Sequence, residues 1–410
     1  MSILDAAGVP EHGGLEGKTS WPPARPDRTR LSILADAMRL HRLVTASFGI
    51  VAVWVVFWAA NGAFLSVQNL WNLSVQIVPV GLLALGLVFV LLVGEIDLSS
   101  AALSGVAATI AARIAVSAGE PLVVGILLAV AVAVAVMALE ALIVLAGVPS
   151  LIVTLGGMIA LGGALLVVLP STFAINLAGT SYGNVGDYSL PASAGWAAGT
   201  VIVVGLIARW VKYEWSSRRS GVRRGRGVLL ATKCVALCAV GAGVVAILNS
   251  GGGVPLPVVI LFVMLLAANW FLGSTSYGAH LYAVGGNRDA ARRAGIRVRS
   301  VILLSFMVLG ICAALSGMIQ AAYVGGVSAA SGPSSEILDA IAAVVIGGVS
   351  LFGGKGSAWG ALVGAILIGS IADGVVLLGL ATQVQDFVTA GILVVAVGVD
   401  SFSLRRLLRR

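Results

Sequence analysis

The chain has 410 residues, of which 59% are hydrophobic and 10% charged. Soluble domains carry about 25% charged residues, so this much apolar surface exceeds what the core of a soluble protein could hide. The net charge of +8 comes from short basic runs between apolar stretches, which fits an orientation signal for membrane insertion and argues against a nucleic-acid partner.

Residues 1–42 are mixed in charge, contain Pro22, Pro23 and Pro26, and lack the apolar core of a signal peptide. They read as a cytoplasmic tail with a short interfacial helix near residues 31–40. Beyond them, a bilayer-spanning helix needs about 20 apolar residues. On that ruler the chain holds about twelve spans: 43–64, 70–93, 98–116, 122–146, 151–169, 192–211, 229–248, 257–272, 301–323, 338–351, 358–380 and 387–399. Pro149 sits at the first turn of the fifth, where a helix tolerates proline. A polar stretch at 171–191, with Asn176, Asn184 and Asp187, separates the fifth and sixth. The expected fold class is therefore an all-α polytopic helix bundle.

Lysine and arginine set its orientation. Residues 1–42, 209–233, 274–300 and 405–410 hold 23 of the 25 basic residues, leaving Arg113 and Lys355 elsewhere. With twelve spans all four segments fall on one side. The opposite loops, 66–69, 171–191, 249–256 and 325–337, hold none. Both termini are expected in the cytoplasm. A weak self-similarity relates residues 91–108 to 344–365: each has an apolar run, a glycine-rich break and then small residues, a pattern that inverted repeats produce in transporters and that chance also produces in a glycine-rich chain.

Candidate chemistry is sparse. Cys234, Cys238 and Cys312 lie inside apolar runs, and His12, His41 and His280 are far apart, so no group has metal-ligand spacing. A nucleotide-binding loop would need G-x-x-x-x-G-K-[ST] between a strand and a helix. Gly17-Lys18-Thr19 has His12 in place of the first glycine, and Gly354-Lys355 is followed by Gly356. Neither completes the motif.

Three segments carry more. Residues 277–299 read YGAHLYAVGGNRDAARRAGIRVR. Gly285 and Gly286 are expected to break the chain, Asn287 to cap a helix, Asp289 in its first turn and Arg292 and Arg293 in its last to complement the dipole, and Gly295 to stop it. This encodes a short self-capped helix at the membrane surface, either a docking element for a soluble partner or a basic loop that only fixes topology. The second segment, Gly94-Glu95-Ile96-Asp97-Leu98-Ser99-Ser100, places carboxylates between two apolar spans, where they are functional or paired. Asp97 or Ser99 capping the next helix is the structural reading, and a proton or cation site is the alternative. Glu140, Asp373 and Asp386 also lie in or near spans, and Arg113 is available to pair with a carboxylate. The third runs from Glu336 through Asp339, Gly347 and Gly348 to Ser357 and reads as a re-entrant element lining a pathway or as a short helix followed by a glycine turn.

Five segments in order resemble the permease subunits of bacterial ABC importers for ribose, xylose and related sugars. FLSVQNLWNLSVQ at 64–76 is similar to the start of that family's second span. GEIDLSS at 94–100 matches G-[GE]-I-D-L-S, and VPSLIVTLGGM at 148–158 resembles P-[SF]-[FL]-I-V-T-L-G. YAVGGNRDAARRAGI at 282–296 matches the signature Y-A-[IV]-G-G-N-x-x-A-A-R-x-[SA]-G-I. ILDAIAAVVIGGVSLFGGKGS at 337–357 matches the family's last motif. The resemblance covers about residues 44–402. Ser100 and Ala101 replace the usual Val-Gly, and Ile337 replaces the usual Glu, with Glu336 one residue earlier, so no role is carried over to Glu336.

The resemblance implies a tail (1–42), a transmembrane permease domain (43–402) and a basic C-terminus (403–410). Within the domain, ten core spans gain an inserted pair at 192–252 joined by an arginine-rich loop, as in xylose-type permeases, which favours a pentose. It implies a translocation subunit rather than an enzyme. ATP and magnesium would be bound by an ABC ATPase subunit, docked at the helix bearing Gly285, Gly286, Asn287, Ala290, Ala291, Arg292 and Gly295. An extracytoplasmic sugar-binding protein and a second permease copy would complete the assembly in the inner membrane. Glu95, Asp97, Ser99, Asp339, Gly347 and Gly348 are the pathway or structural candidates. The competing reading is a proton- or ion-coupled secondary transporter using Glu95 or Asp97.

Overall fold

The computed structural model describes residues 47–219, 227–332, 334–381, 383–391 and 394. The expected interfacial helix at 31–40, most of the arginine-rich loop and the C-terminal arginines lie outside them.

Eight helices are long and apolar enough to cross a membrane among the described residues. In chain order the elements begin with α1 (Ser47–Ala60) and α2 (Val67–Leu92). Next come α3 (Ser100–Ala112), prolonged by a π turn at Arg113–Ser117, α4 (Leu122–Leu145) and α5 (Ser150–Val168). The polar stretch folds as β1 (Ala174–Asn176), the one-turn α6 (Asn184–Asp187) and β2 (Ser189–Leu190). The inserted pair is the hairpin of α7 (Ala192–Arg219) and α8 (Gly227–Ser250). Then follow β3 (Val254–Pro255), α9 (Leu256–Ser274), α10 (Ser276–Gly286) and α11 (Arg288–Arg293). The last elements are α12 (Val298–Val324), β4 (Gly326–Ser328), α13 (Ser334–Ile346) and α14 (Ala358–Leu377), with a further helix at 383–391.

Two differences from the sequence reading are physical. The bundle is not purely helical: β1 pairs antiparallel with β4, and β2 with β3. These ladders satisfy backbone groups of connecting segments at one end of the bundle, where no helix can do so. The tenth expected span is a 13-residue helix, α13. At 1.5 Å per residue it is about 20 Å long, short of a hydrocarbon core about 30 Å thick.

The core is built around α2, whose residues from Val78 to Val93 are nearly all buried, against α9, α12, α13 and α14. It is hydrophobic all round, as a helix surrounded by other helices must be. In contrast α4 and α5 turn most of their apolar side chains outward: Leu127 is 66% exposed, Ile159 71% and Val167 82%. An apolar exterior of this extent requires lipid. Helix contacts inside use small residues. α13 and α14 cross where Gly347 and Gly360 each lack a Cβ that would strike the other's carbonyl oxygen. Buried hydroxyls bond to backbone carbonyls, as Ser316 does to Pro79 O at 2.8 Å between α12 and α2.

Candidate functional site

Because β3 precedes α9 and β4 follows α12, the α10–α11 segment that joins those helices lies at the end of the bundle opposite the ladders. Two interruptions of helix meet it there. The first is Val93–Ser99, between α2 and α3, and the second is Gly347–Ser357, between α13 and α14. The Gly354 amide donates to Leu92 O at 2.9 Å, joining one break to the other. Gly285 lies directly on the Leu92 carbonyl, with Gly354 beside it, and any Cβ at Gly285 would overlap both. Tyr282 donates to Gly356 O at 2.9 Å.

Gly285 and Gly286 therefore do not break the chain as expected. They end α10 as its last helical residues; Gly285 serves for close approach rather than for a bend, while a side chain on Gly286 would meet open space. The break falls one residue later. Asn287 is extended and its side chain accepts from the Ala290 amide at 2.9 Å, the expected cap. Asp289 occupies the first turn of α11 and Arg292 and Arg293 the last, and Gly295 follows with φ +82, so the predicted start and stop signals operate. Ala290 and Arg292 are exposed, whereas Ala291 is only 5% exposed and faces the bundle. Of the residues expected on a docking face, Ala291 is a seat for the helix instead.

Arg288 is the residue that sequence reasoning missed. Its Nη2 donates to Glu95 Oε1 at 2.6 Å and to Val93 O at 3.0 Å. The short helix is thus tied to the first break by an ion pair whose carboxylate side chain is 8% exposed and whose guanidinium is 42% exposed. A signal was present: a cation in the first turn of a helix opposes the dipole, so it needs a partner elsewhere. With Glu95 so paired, it has an anchoring role.

Asp97 is fully buried. Its carboxylate accepts from the Ser100 amide at 3.0 Å and the Ser99 amide at 3.3 Å, capping α3 as the structural reading required. Ser99 Oγ lies 2.7 Å from Asp97 Oδ1 and 2.8 Å from Glu140 Oε2 on α4. One hydroxyl proton can be donated to only one of two ionised carboxylates, so both contacts are made only when the cluster holds a further proton. The first break is also tied to α5, since the Ser150 hydroxyl accepts from the Ile96 amide at 3.2 Å. Arg113 pairs with no carboxylate among the described residues; its Nη1 donates to Val168 O at 2.7 Å and closes the end of α5.

The remaining candidates disperse. Gly347 supports the α13–α14 crossing, and Gly348, with φ +87, turns the chain after α13. Asp339 lies 3.5 Å from the Gln385 amide nitrogen, away from the two breaks. Asp373 accepts from Asn69 at 2.7 Å near the start of α2, and Asp386 is exposed.

A lipid-facing helical bundle with two packed helix breaks under a short, capped, solvent-exposed helix is the architecture of a polytopic membrane protein. Residues 69–397 match the family described as "Branched-chain amino acid transport system / permease component", and the chain belongs to that family. It is 36% identical to the xylose transport system permease protein XylH of Escherichia coli K12 over 363 residues, 87% of this chain and 91% of that one. The same protein of Haemophilus influenzae is 36% identical over 87% of this chain and 96% of its own length. The ribose import permease RbsC of E. coli K12 is 31% identical over 36% of this chain and 46% of its own. No solved structure matches. The chain is a multi-pass protein of the inner membrane and a permease component of a transport system.

Proposed function

We propose that this chain is the translocation subunit of an ATP-driven importer that carries xylose or a related pentose into the cell. The observation that carries the reading is α11, an exposed capped helix tied by Arg288 to Glu95, with the end of the preceding α10 seated through Gly285 on Leu92 and Gly354. A rigid surface element fixed to the points where two helices are interrupted can pass a partner's movement into the bundle. The relatives support the sugar: two are xylose permeases aligned over most of their length, inserted pair included.

In this reading twelve passes, ten of the core and the inserted pair, leave both termini in the cytoplasm, with the tenth pass made by the short α13 together with the break after it and the permease domain at 43–402. Two copies form the pathway. An ABC ATPase subunit binds ATP and magnesium and docks on Ala290, Arg292 and their exposed neighbours, while a sugar-binding protein delivers its load at the ladder end. This chain performs no covalent chemistry. Secondary transport through Glu95 or Asp97 is disfavoured because Glu95 has a cation and Asp97 a capping role.

The test is uptake of labelled pentose into vesicles holding this chain, with the ATPase and the binding protein each added or withheld. Uptake only with all three and ATP is expected. Solute movement by this chain alone on a proton gradient would overturn the proposal. Arg292→Glu should abolish ATP-driven uptake while the chain still reaches the membrane.

A further inference from the structure

A cavity of about 230 Å³ lies between α3, α12, β4 and the start of α13. It is smaller than the roughly 300–1,000 Å³ of pockets for drug-sized ligands, which suits one small solute. Its polar lining is out of character with the bundle. Gln320 and Glu336 make no side-chain hydrogen bond or ion pair among the described residues, although Glu336 is only 9% exposed. A buried carboxylate left open towards a cavity needs a partner within it, and the half-buried Gln320 amide faces the same space.

The hydroxyls supply both halves of a hydrogen-bonding surface. Ser104 donates to Ala101 O at 2.7 Å, so it presents lone pairs. Ser331 accepts from the Ser328 amide at 2.9 Å and Ser328 accepts from the Ala330 amide at 3.2 Å; both keep a proton to donate. Glu336 adds an acceptor and Gln320 adds one of each kind. The lining contains no basic residue for an anion, and its single carboxylate and mixed donors do not make the all-oxygen shell of a hard cation. A neutral solute whose every hydroxyl both donates and accepts matches it.

We infer that this cavity is a transit site for the sugar, with Gln320 and Glu336 as the residues that bind its hydroxyls and bias its choice. The inference rests on the importer reading above. The test uses vesicles with the complete transporter, the binding protein saturating, and two epimeric pentoses in turn, reading sugar moved per ATP hydrolysed. Gln320→Ala and Glu336→Ala are expected to lower that ratio about tenfold, the factor carried by a lost hydrogen bond of about 1.4 kcal/mol, and to change the preference between epimers. The isosteric Glu336→Gln should lose less. Ala330→Trp, at an exposed lining position, should stop sugar movement by filling the cavity without disturbing the core. If Gln320→Ala and Ala330→Trp both keep the wild-type ratio and epimer preference, the inference is wrong, whatever becomes of Glu336→Ala. If the wild-type complex itself moves neither pentose, the importer reading fails instead.

Discussion

Removing the tie between α11 and the first helix break tests whether that contact is a strut or an incidental surface pair. An exposed ion pair is worth about 0–1 kcal/mol, and breaking a fully buried one costs about 3–5 kcal/mol. Here Glu95 is sheltered at 8% exposure while Arg288 is 42% exposed, so Arg288→Ala should cost about 2 kcal/mol. Most of that is the carboxylate left without its cation or water. Glu95→Gln keeps an acceptor for the guanidinium and should cost about 1 kcal/mol, the difference between a charged and a neutral hydrogen bond. The double variant Glu95→Gln, Arg288→Ala no longer strands a charge, so it should be less destabilised than the sum of the singles by about 1 kcal/mol. Thermal unfolding of the purified chain in detergent measures the cycle. Uptake in vesicles should show Arg288→Ala hydrolysing more ATP per sugar moved, since an unbraced α11 transmits less. Strict additivity, or a wild-type ATP-to-sugar ratio in Arg288→Ala, would refute the strut.

Gly285→Ala forces a Cβ onto the Leu92 carbonyl and Gly354; overpacking of this kind costs about 1–3 kcal/mol, and a lowered unfolding midpoint with loss of uptake should follow. Ala291→Glu buries a charge under α11, since Ala291 is 5% exposed; it should lower stability, whereas Arg292→Glu, which disturbs only an exposed pair with Asp289 and the helix dipole, should lower the unfolding midpoint far less while removing uptake. Glu140→Gln supplies an amide hydrogen where the Ser99 cluster needs one more proton, so stability should stay within about 1 kcal/mol of wild type, while Ser99→Ala, which removes the bridge between Asp97 and Glu140, should cost about 1–3 kcal/mol in the same unfolding measurement.

Signals read along the chain determined much of this protein. Composition alone placed it in lipid. Asn287, Asp289, Arg292, Arg293 and Gly295 encode α11 from end to end, because capping and dipole effects act within one turn and need no distant partner. That Asp97 or Ser99 would cap α3 was legible for the same reason, and the structure gives that role to Asp97. The tertiary structure decided which spans face lipid and which face protein. α2, with a mean hydropathy of 2.6 over its most apolar window, is 83% buried there, whereas α4, at 3.1, is 22% buried. Hydropathy measures exclusion from water, and a bilayer and a packed helix bundle exclude it equally. The role of Glu95 was also settled only in three dimensions, since its partner Arg288 is 193 residues away. The same holds for Gly285: in one dimension a glycine pair signals a bend, and only the carbonyl of Leu92 pressed against Gly285 makes its missing side chain a matter of space.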